Sequence, residues 1–335
     1  MSDRRRLPET RAVLAARHAV REWVGRYAAG RAVAVGLSGG ADSLALTAAA
    51  VVEAEGVDAL VVDHGLQGGS AEVAEAAAAA ALALGCRSAR VLRVEVGRAG
   101  GPEAAARRAR YEALDRARDG LPVLLGHTLD DQAETVLLGL SRGSGGRSIR
   151  GMAEFDEPWG RPLLGVRRAV TRQLCADAGL TPWEDPHNLA PEFTRVRLRT
   201  EVLPLLEKVL HGGVAPALAR TAAQLREDGD VLDALAESLL TASRNERGLE
   251  IETLATAPAA IRRRVIRAWL HEGGAKSLTD SNLRAVDALV TRWRGQGGVA
   301  LGGSPSGTRL VAAREHGTLI LGWDRVDTDG GRHHQ

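Results

Sequence analysis

The sequence predicts an α/β protein: a doubly wound, mostly parallel sheet followed by a second, smaller α+β domain. Three observations predict it. Between Ala32 and Ser141, short apolar runs rich in β-branched residues alternate four times with alanine- and leucine-rich stretches of helical spacing. The first such run ends in a glycine turn, Ser38-Gly39-Gly40-Ala41-Asp42-Ser43, that leads directly into a helix. Past Gly212-Gly213 the pattern changes to three helices and then three short strands.

Taken in order, Thr10 to Tyr27 has helical spacing and leads into a strand over Ala32 to Leu37. After the glycine turn, Leu44 to Val52 reads as helix and Val57 to His64 as the second strand. Ser70 is placed to cap a helix over Ala71 to Leu84. A third strand spans Ala89 to Val96. Pro102 suits the first position of the helix that follows, Glu103 to Arg118. Pro122 to Gly126 is the fourth strand, and Thr128 with Asp131 reads as a capping box opening a helix to Ser141. A basic loop, Arg142 to Arg150, a helix from Arg167 to Ala178 and a helix capped by Thr194 complete this part. The expected organisation is an N-terminal helix at 1–28, a catalytic domain at 29–212, a C-terminal domain at 213–327 and a disordered tail at 328–335.

Composition bounds the function. At 335 residues there is room for two domains, and 44% hydrophobic with 26% charged residues is ordinary for a globular chain. No apolar run approaches the ~20 residues that span a bilayer. The basic N-terminus has no apolar stretch behind it, so no signal peptide is expected. The only cysteines, Cys86 and Cys175, form no CxxC pair, which argues against a disulfide framework or a thiolate metal site. A cytoplasmic protein is expected. Lysine occurs only at Lys208 and Lys276, so 42 of the 44 basic residues are arginine. Base bias in the genome accounts for such a skew, but arginine also suits phosphate contacts.

The chemistry sits at strand ends. In a doubly wound sheet, ligands bind beyond the carboxyl ends of the strands. There lie Ser38 to Ser43, then Asp63 and His64, then His127 to Asp131. The first turn brings backbone N–H groups and a helix N-terminus to one point, which is a phosphate cradle. Asp42 is the odd member, since an acid beside a phosphate needs a cation between them. Mg²⁺ or a cationic substrate at Asp42 answers that. Asp63 suits a ribose, a metal or a backbone contact. His64 and His127 suit either loop shaping or nucleotide contact. Asp131 reads both as helix cap and as catalytic carboxylate. Gly273 to Ser277 is no Walker loop, because Ala275 stands where its second glycine belongs, and no GxGxxG follows the first strand.

With those loops excluded, the Ser38–Ser43 turn resembles the pyrophosphate loop (PP-loop) of the N-type ATP pyrophosphatases. Further stretches narrow the resemblance to the tRNA(Ile)-lysidine synthetases: Val62-Asp63-His64-Gly65, Glu103 through Tyr111, His127 through Thr135, Leu140 through Gly145, Gly151-Met152, Arg161 through Leu164, and Glu184 through Asn188 with Phe193 to Arg195. They occur in family order over about residues 30–205. The resemblance implies ATP and Mg²⁺ as cofactors, and L-lysine and the isoleucine tRNA with a CAU anticodon as substrates. It implies that the C2 oxygen of the wobble cytidine attacks the α-phosphate of ATP, pyrophosphate leaves, and the lysine ε-amine displaces AMP to give lysidine. A homodimer is also implied. On this reading Asp42, Asp131 and Arg107 are the catalytic candidates. Ser38, Gly39, Gly40, Ala41, Asp42, Ser43, His64 and His127 hold the nucleotide, with Asp42 facing Mg²⁺. Arg142, Arg147, Arg195 and Arg199 meet tRNA phosphates. The rivals are another PP-loop enzyme acting on tRNA or on a small molecule, and a non-catalytic tRNA-binding relative.

Overall fold

The computed structural model of the chain describes residues 7–65, 68–97, 101–143, 145–185, 192–302 and 308–325. The chain divides into two compact units. One comprises Met1–Ser141 and Ile149–Ala223, the other Arg142–Ser148 and Gln224–Gln335. The expected tail at 328–335 lies outside the described residues.

The first unit opens with α1 (Arg11–Tyr27), capped by the Thr10 hydroxyl, which accepts the Val13 N–H. Then come β1 (Val33–Leu37), α2 (Ala41–Glu53), β2 (Val57–Asp63), α3 (Ser70–Leu84), β3 (Ser88–Arg93), α4 (Pro102–Ala117), β4 (Val123–Leu125) and α5 (Leu129–Arg142). After α6 (Gly146–Ile149) there is a small hairpin of β5 (Phe155–Asp156) and β6 (Trp159–Gly160). The unit continues with α7 (Arg168–Asp177), α8 (Thr194–Arg197), α9 (Leu203–Val209) and the start of α10 (Val214–Ser243). The doubly wound α/β fold expected from the alternation is present. Strand order is β3-β2-β1-β4-β6-β5, parallel except for the β5–β6 pair. That hairpin leaves no mark in the sequence, because two-residue strands carry no periodicity.

Side chains alternate across the sheet, as a strand's two-residue period requires. Val33, Val35 and Leu37 of β1 join Val57, Ala59 and Val61 of β2 in a core with α1, α2 and α3. Ala34 and Leu60 face the other way, against Leu114 of α4. The N-terminal helix, expected as a segment of its own, is part of this first core. Its Trp23 is fully buried against Tyr27 and Phe155, and its indole N–H donates to Glu154 O at 3.1 Å. A third cluster sets Ala133 of α5 against Leu203 and Ala215.

Two helix starts differ from expectation. Gly69 at φ +83°, not Ser70, is the N-cap of α3, and Ser70 is its first residue. Likewise Phe193 precedes α8 and Thr194 is its first residue, with no side-chain cap.

The second unit contains most of α10, then β7 (Arg244–Asn245), β8 (Gly248–Glu250), α11 (Ile251–Ala255), α12 (Ala259–Glu272), α13 (Asp280–Thr291), β9 (Val299–Leu301), β10 (Thr308–Glu315) and β11 (Thr318–Arg325). Its sheet is antiparallel, in the order β7-β8-β11-β10-β9. Val265, Ile266 and Leu270 of α12, Val286 of α13 and Leu319 of β11 fill its core. The glycine pair expected to divide the domains precedes α10, whereas the division falls inside that helix, at Ala223–Gln224. A helix can pass from one compact unit to another without a composition change, so the sequence carries no mark of that division. Among the described residues, no single helix is long and apolar enough to cross a membrane.

Candidate active site

Strand order reverses between β1 and β4, and the turns after these two strands face each other there. Contact between them is close. A Cβ at Gly126, just past β4, would sit 3.0 Å from the backbone of Asp42 and Ser43 in α2. A side chain there would push the end of β4 and the first turn of α2 apart by a few tenths of an ångström.

The glycine turn itself is rigid. Gly39 has φ +82°, a conformation that side chains disfavour, and Gly40 is the N-cap of α2. The Ser43 hydroxyl donates to Gly40 O at 3.0 Å and accepts the Ser38 N–H at 3.2 Å. Trp183 N–H donates to Gly39 O at 3.0 Å and ties the turn to the segment after α7. The exposed Ser38 hydroxyl and the unpaired first-turn N–H groups of α2 thus face a cleft of about 950 Å³. Asp63, His64, Arg110, His127, Asp131, Arg168, Trp183 and Arg199 also line it.

Asp131 does two things at once. One oxygen, Oδ2, accepts the Thr128 N–H at 2.8 Å and the Thr128 hydroxyl at 2.7 Å, the expected capping box of α5. The other, Oδ1, is 2.5 Å from Arg168 Nη2. The same guanidinium reaches Asp42 Oδ2 at 3.2 Å and Glu134 Oε1 at 3.3 Å. Arg199 adds a second cation, with Nε 2.9 Å from Glu134 Oε1 and Nη2 3.6 Å from Asp131. Glu134 is fully buried, one turn along α5 from Asp130 and Asp131. Three carboxylates therefore share two guanidiniums, and with all five ionised the cluster keeps one negative charge.

Burial, and the charge on Asp131, push the Asp42 carboxyl up against the pull of Thr171 and Arg168. Asp131 is held below the usual carboxylate range; burial opposes this, and Arg168 with Thr128 overcomes it. Asp63 is lowered by the Gly65 N–H, which donates to its Oδ1 at 3.0 Å, and by the Ser70 hydroxyl. The backbone contact expected as one alternative for Asp63 is present.

His64, His127 and Arg110 form the opposite character. His64 Nδ1, His127 Nδ1 and Arg110 Nε are buried without a hydrogen-bond partner among the described residues. Burial lowers the proton affinity of all three, and Arg110 lowers both imidazoles further. The result is a buried cation beside two neutral rings, a setting for an anion.

The structure brings most of the anticipated residues together, with exceptions. Arg107, the expected catalytic arginine, is exposed and stacks on Tyr111, 4.9 Å from the ring centroid. Arg110, one turn further along α4, is the one that lines the cleft. Arg199, expected on an RNA-facing surface, is turned into the cleft instead. Arg195 is half-buried and acts electrostatically on Arg110. Arg142 is exposed at the end of α5. Arg147 belongs to the second unit and pairs there with Asp233, which also takes Arg264 at 3.0 Å. Glu134 and Arg168 were missed. Glu134 follows Asp131 by three residues, so a helical wheel puts it on the same face, and that signal was available. No spacing reveals Arg168, because it comes from a distant helix. The stretch from Pro186 through Asn188, part of the family resemblance, lies outside the described residues. Among the described residues, no group of three or more His, Cys, Asp or Glu could by itself hold a metal ion.

Fold and cleft together define a PP-loop nucleotide-cleaving protein, and residues 13–206 match the PP-loop domain family. Residues 249–320 match the TilS substrate binding domain. A tRNA(Ile)-lysidine synthase of Nocardia farcinica is 74% identical over 307 residues, covering 91% of this chain and 96% of its own. One from Rhodococcus erythropolis is 69% identical, covering 95% and 98%. The chain belongs to the tRNA(Ile)-lysidine synthase family. A solved U34-tRNA thiolase from Methanococcus maripaludis shares the fold at a TM-score of 0.53 and 20% identity, over 64% of this chain and 80% of that one.

The neutral histidines make stability depend on pH. Their protonation is disfavoured in the folded state, so the unfolded chain binds more protons below its own histidine pKa of about 6.5. Stability should be complete above that pH and fall as the pH drops toward 5. Replacing both residues (His64→Gln, His127→Gln) should flatten that fall, as read from thermal unfolding at several pH values against the native chain.

Proposed function

We infer that this protein joins L-lysine to C2 of the wobble cytidine in the CAU anticodon of the isoleucine tRNA, using ATP and releasing AMP and pyrophosphate. Family membership carries this reading. In the first step the cytidine C2 oxygen attacks the α-phosphate, and the bond from the α-phosphorus to the bridging oxygen of pyrophosphate breaks. In the second the lysine ε-amine attacks C2, AMP leaves, and the amine gives up its protons.

The roles of the residues are our proposal. The Ser38–Ser43 turn and the head of α2 receive the charge that develops on pyrophosphate. Asp42 is a single carboxylate that lines the cleft beside that turn, and Mg²⁺ is commonly bound by one or two carboxylates together with phosphate oxygens. Asp42 would hold the ion during the phosphate step, where the ion would neutralise phosphate charge, and once pyrophosphate has gone Asp42 counts again among the cluster's three carboxylates. The remaining negative charge of the Asp42–Asp131–Glu134 cluster suits one ammonium, and a carboxylate there accepts its proton as the amine attacks. Arg110, rather than Arg107, takes the substrate carboxylate or a phosphate, with His64 and His127 beside it. Arg142, Arg147 and Arg195 contact tRNA phosphates. The protein acts in the cytoplasm as a homodimer; the exposed Leu205 and Val209, four residues apart, give α9 an apolar face for a second copy.

Incubation with ATP, Mg²⁺, radiolabelled lysine and CAU-anticodon tRNA should place label in RNA. ATP consumed without labelled RNA, by some other acceptor, would overturn the reading. Asp131→Asn should reduce labelling by ~100-fold or more, with the native fold retained by circular dichroism. Arg142→Ala should weaken tRNA binding and lower the slope of log affinity against log salt by about one, as read from filter binding. Sedimentation should give twice the chain mass, and Leu205→Glu should reduce it to one.

A further inference from the structure

Arg168 lines the cleft, and the reaction scheme leaves it without a task. It is the first residue of α7. A helix N-terminus favours anions, so a cation is poorly placed there unless its head is carried away to carboxylates. That is what is seen. Each of its three guanidinium nitrogens is given to a different acid: Nε to Asp42, Nη2 to Asp131 and Nη1 to Glu134. Asp42 stands in the first turn of α2, and the other two in α5. The backbone of Arg168 is fixed as well. Its N–H donates to Asp130 Oδ2 at 2.8 Å, and Asp130 is also paired with Arg167 at 3.0 Å. Asp42 has a second tie to α7, from the Thr171 hydroxyl to Oδ1.

The geometry is specific to arginine. Its nitrogens lie in one rigid plane and serve three acceptors at a fixed spacing, whereas a lysine ammonium is a single point charge. Without a cation, three carboxylates this close and this buried would repel one another or take up protons. Arg199 alone cannot replace Arg168, since Asp42 is not among its ion-pair partners.

We propose that Arg168 is a positioning residue for the ligation step, its planar guanidinium fixing Asp42, Asp131 and Glu134 around the seat of the incoming ammonium. The proposal rests on the reading that this cluster receives the lysine ε-ammonium. Two guanidiniums neutralise two of the three carboxylates. One unit of charge then remains for a primary ammonium. The Ser38–Ser43 turn is braced by its own hydrogen bonds and Asp42 keeps its bond from Thr171, so loss of Arg168 weighs on the amine step more than on the phosphate step.

The test separates the two half-reactions in the full chain. Transfer of AMP from α-labelled ATP to CAU tRNA without lysine reads the first; lysidine formation at varied lysine reads the second. For Arg168→Ala, kcat/KM for lysine should fall ~100-fold more than adenylation does. Low-millimolar guanidinium should restore at least ~tenfold of it by refilling the vacated plane, while urea and ammonium should not. Equal losses in both steps, or no rescue in a variant that unfolds like the native chain, overturn the proposal. If Arg168→Ala does not fold, Arg168→Lys decides. It keeps the charge but not the spacing, so it should lower kcat for the amine step with little change in lysine KM; a native rate overturns the proposal. Failure of the native chain to form lysidine would instead overturn the underlying reading.

Discussion

Buried like charges do not assemble unless something of opposite sign is built in with them, and that constraint shapes the whole cleft. Asp42, Asp131 and Glu134 come from two helices that follow neighbouring strands. Glu134 is completely buried and Asp131 nearly so. Their convergence is tolerable only because Arg168 and Arg199 arrive from elements much later in the chain. The segments carrying these arginines must therefore fold onto the sheet for the first half of the site to be stable. Packing achieves this: Leu174 and Cys175 of α7 share the main core with α1 and α2, and Leu203 of α9 packs on α5. Core and charge cluster are one construction.

The same logic explains what the sequence revealed and what it hid. The doubly wound sheet was legible because each strand and helix is a local pattern, and the phosphate turn because it is six consecutive residues. The double role of Asp131 was also legible, since a capping box needs only four residues. The choice between Arg107 and Arg110 was not. Both lie on the same helix, three residues apart, and only packing of α4 on the sheet tells which faces inward. Both guanidiniums lie over the Tyr111 ring, which packs on Trp159, but Arg107 is exposed whereas Arg110 lines the cleft. Arg168 was beyond reach for another reason. A residue whose partners lie more than thirty positions away leaves no local trace.

Arginine composition, read at first as either base bias or an RNA-binding surface, turns out to serve a third purpose. Arg161 is buried and donates to Ala153 O at 3.0 Å, and Arg262 forms a buried pair with Asp287 in the second unit. Arginine stays charged when buried where lysine does not, and its fork satisfies several acceptors at once. Counting arginines therefore overstates the surface available to phosphates. Arg199 illustrates it, since it is already given to a buried carboxylate.

The cleft holds two environments side by side, and their separation is the physical basis for a two-step reaction. On one side His64, His127 and Arg110 offer a buried cation beside neutral rings, with donors left unpaired. That is a place for an anionic group. On the other side lie three carboxylates with one charge uncompensated, a place for an amine. The turn at Ser38–Ser43, whose backbone donors suit the leaving pyrophosphate, lines the same cleft. Asp131 belongs to both neighbourhoods, because its charge acts on His127 as well as on Arg168. Its capping bond to Thr128 fixes one oxygen and so orients the other. A carboxylate free to rotate could serve either as cap or as acid–base group, but a capped one can do both from a single rotamer. The helix start is thus not a competing explanation of Asp131. It is the means by which the other oxygen is aimed at Arg168.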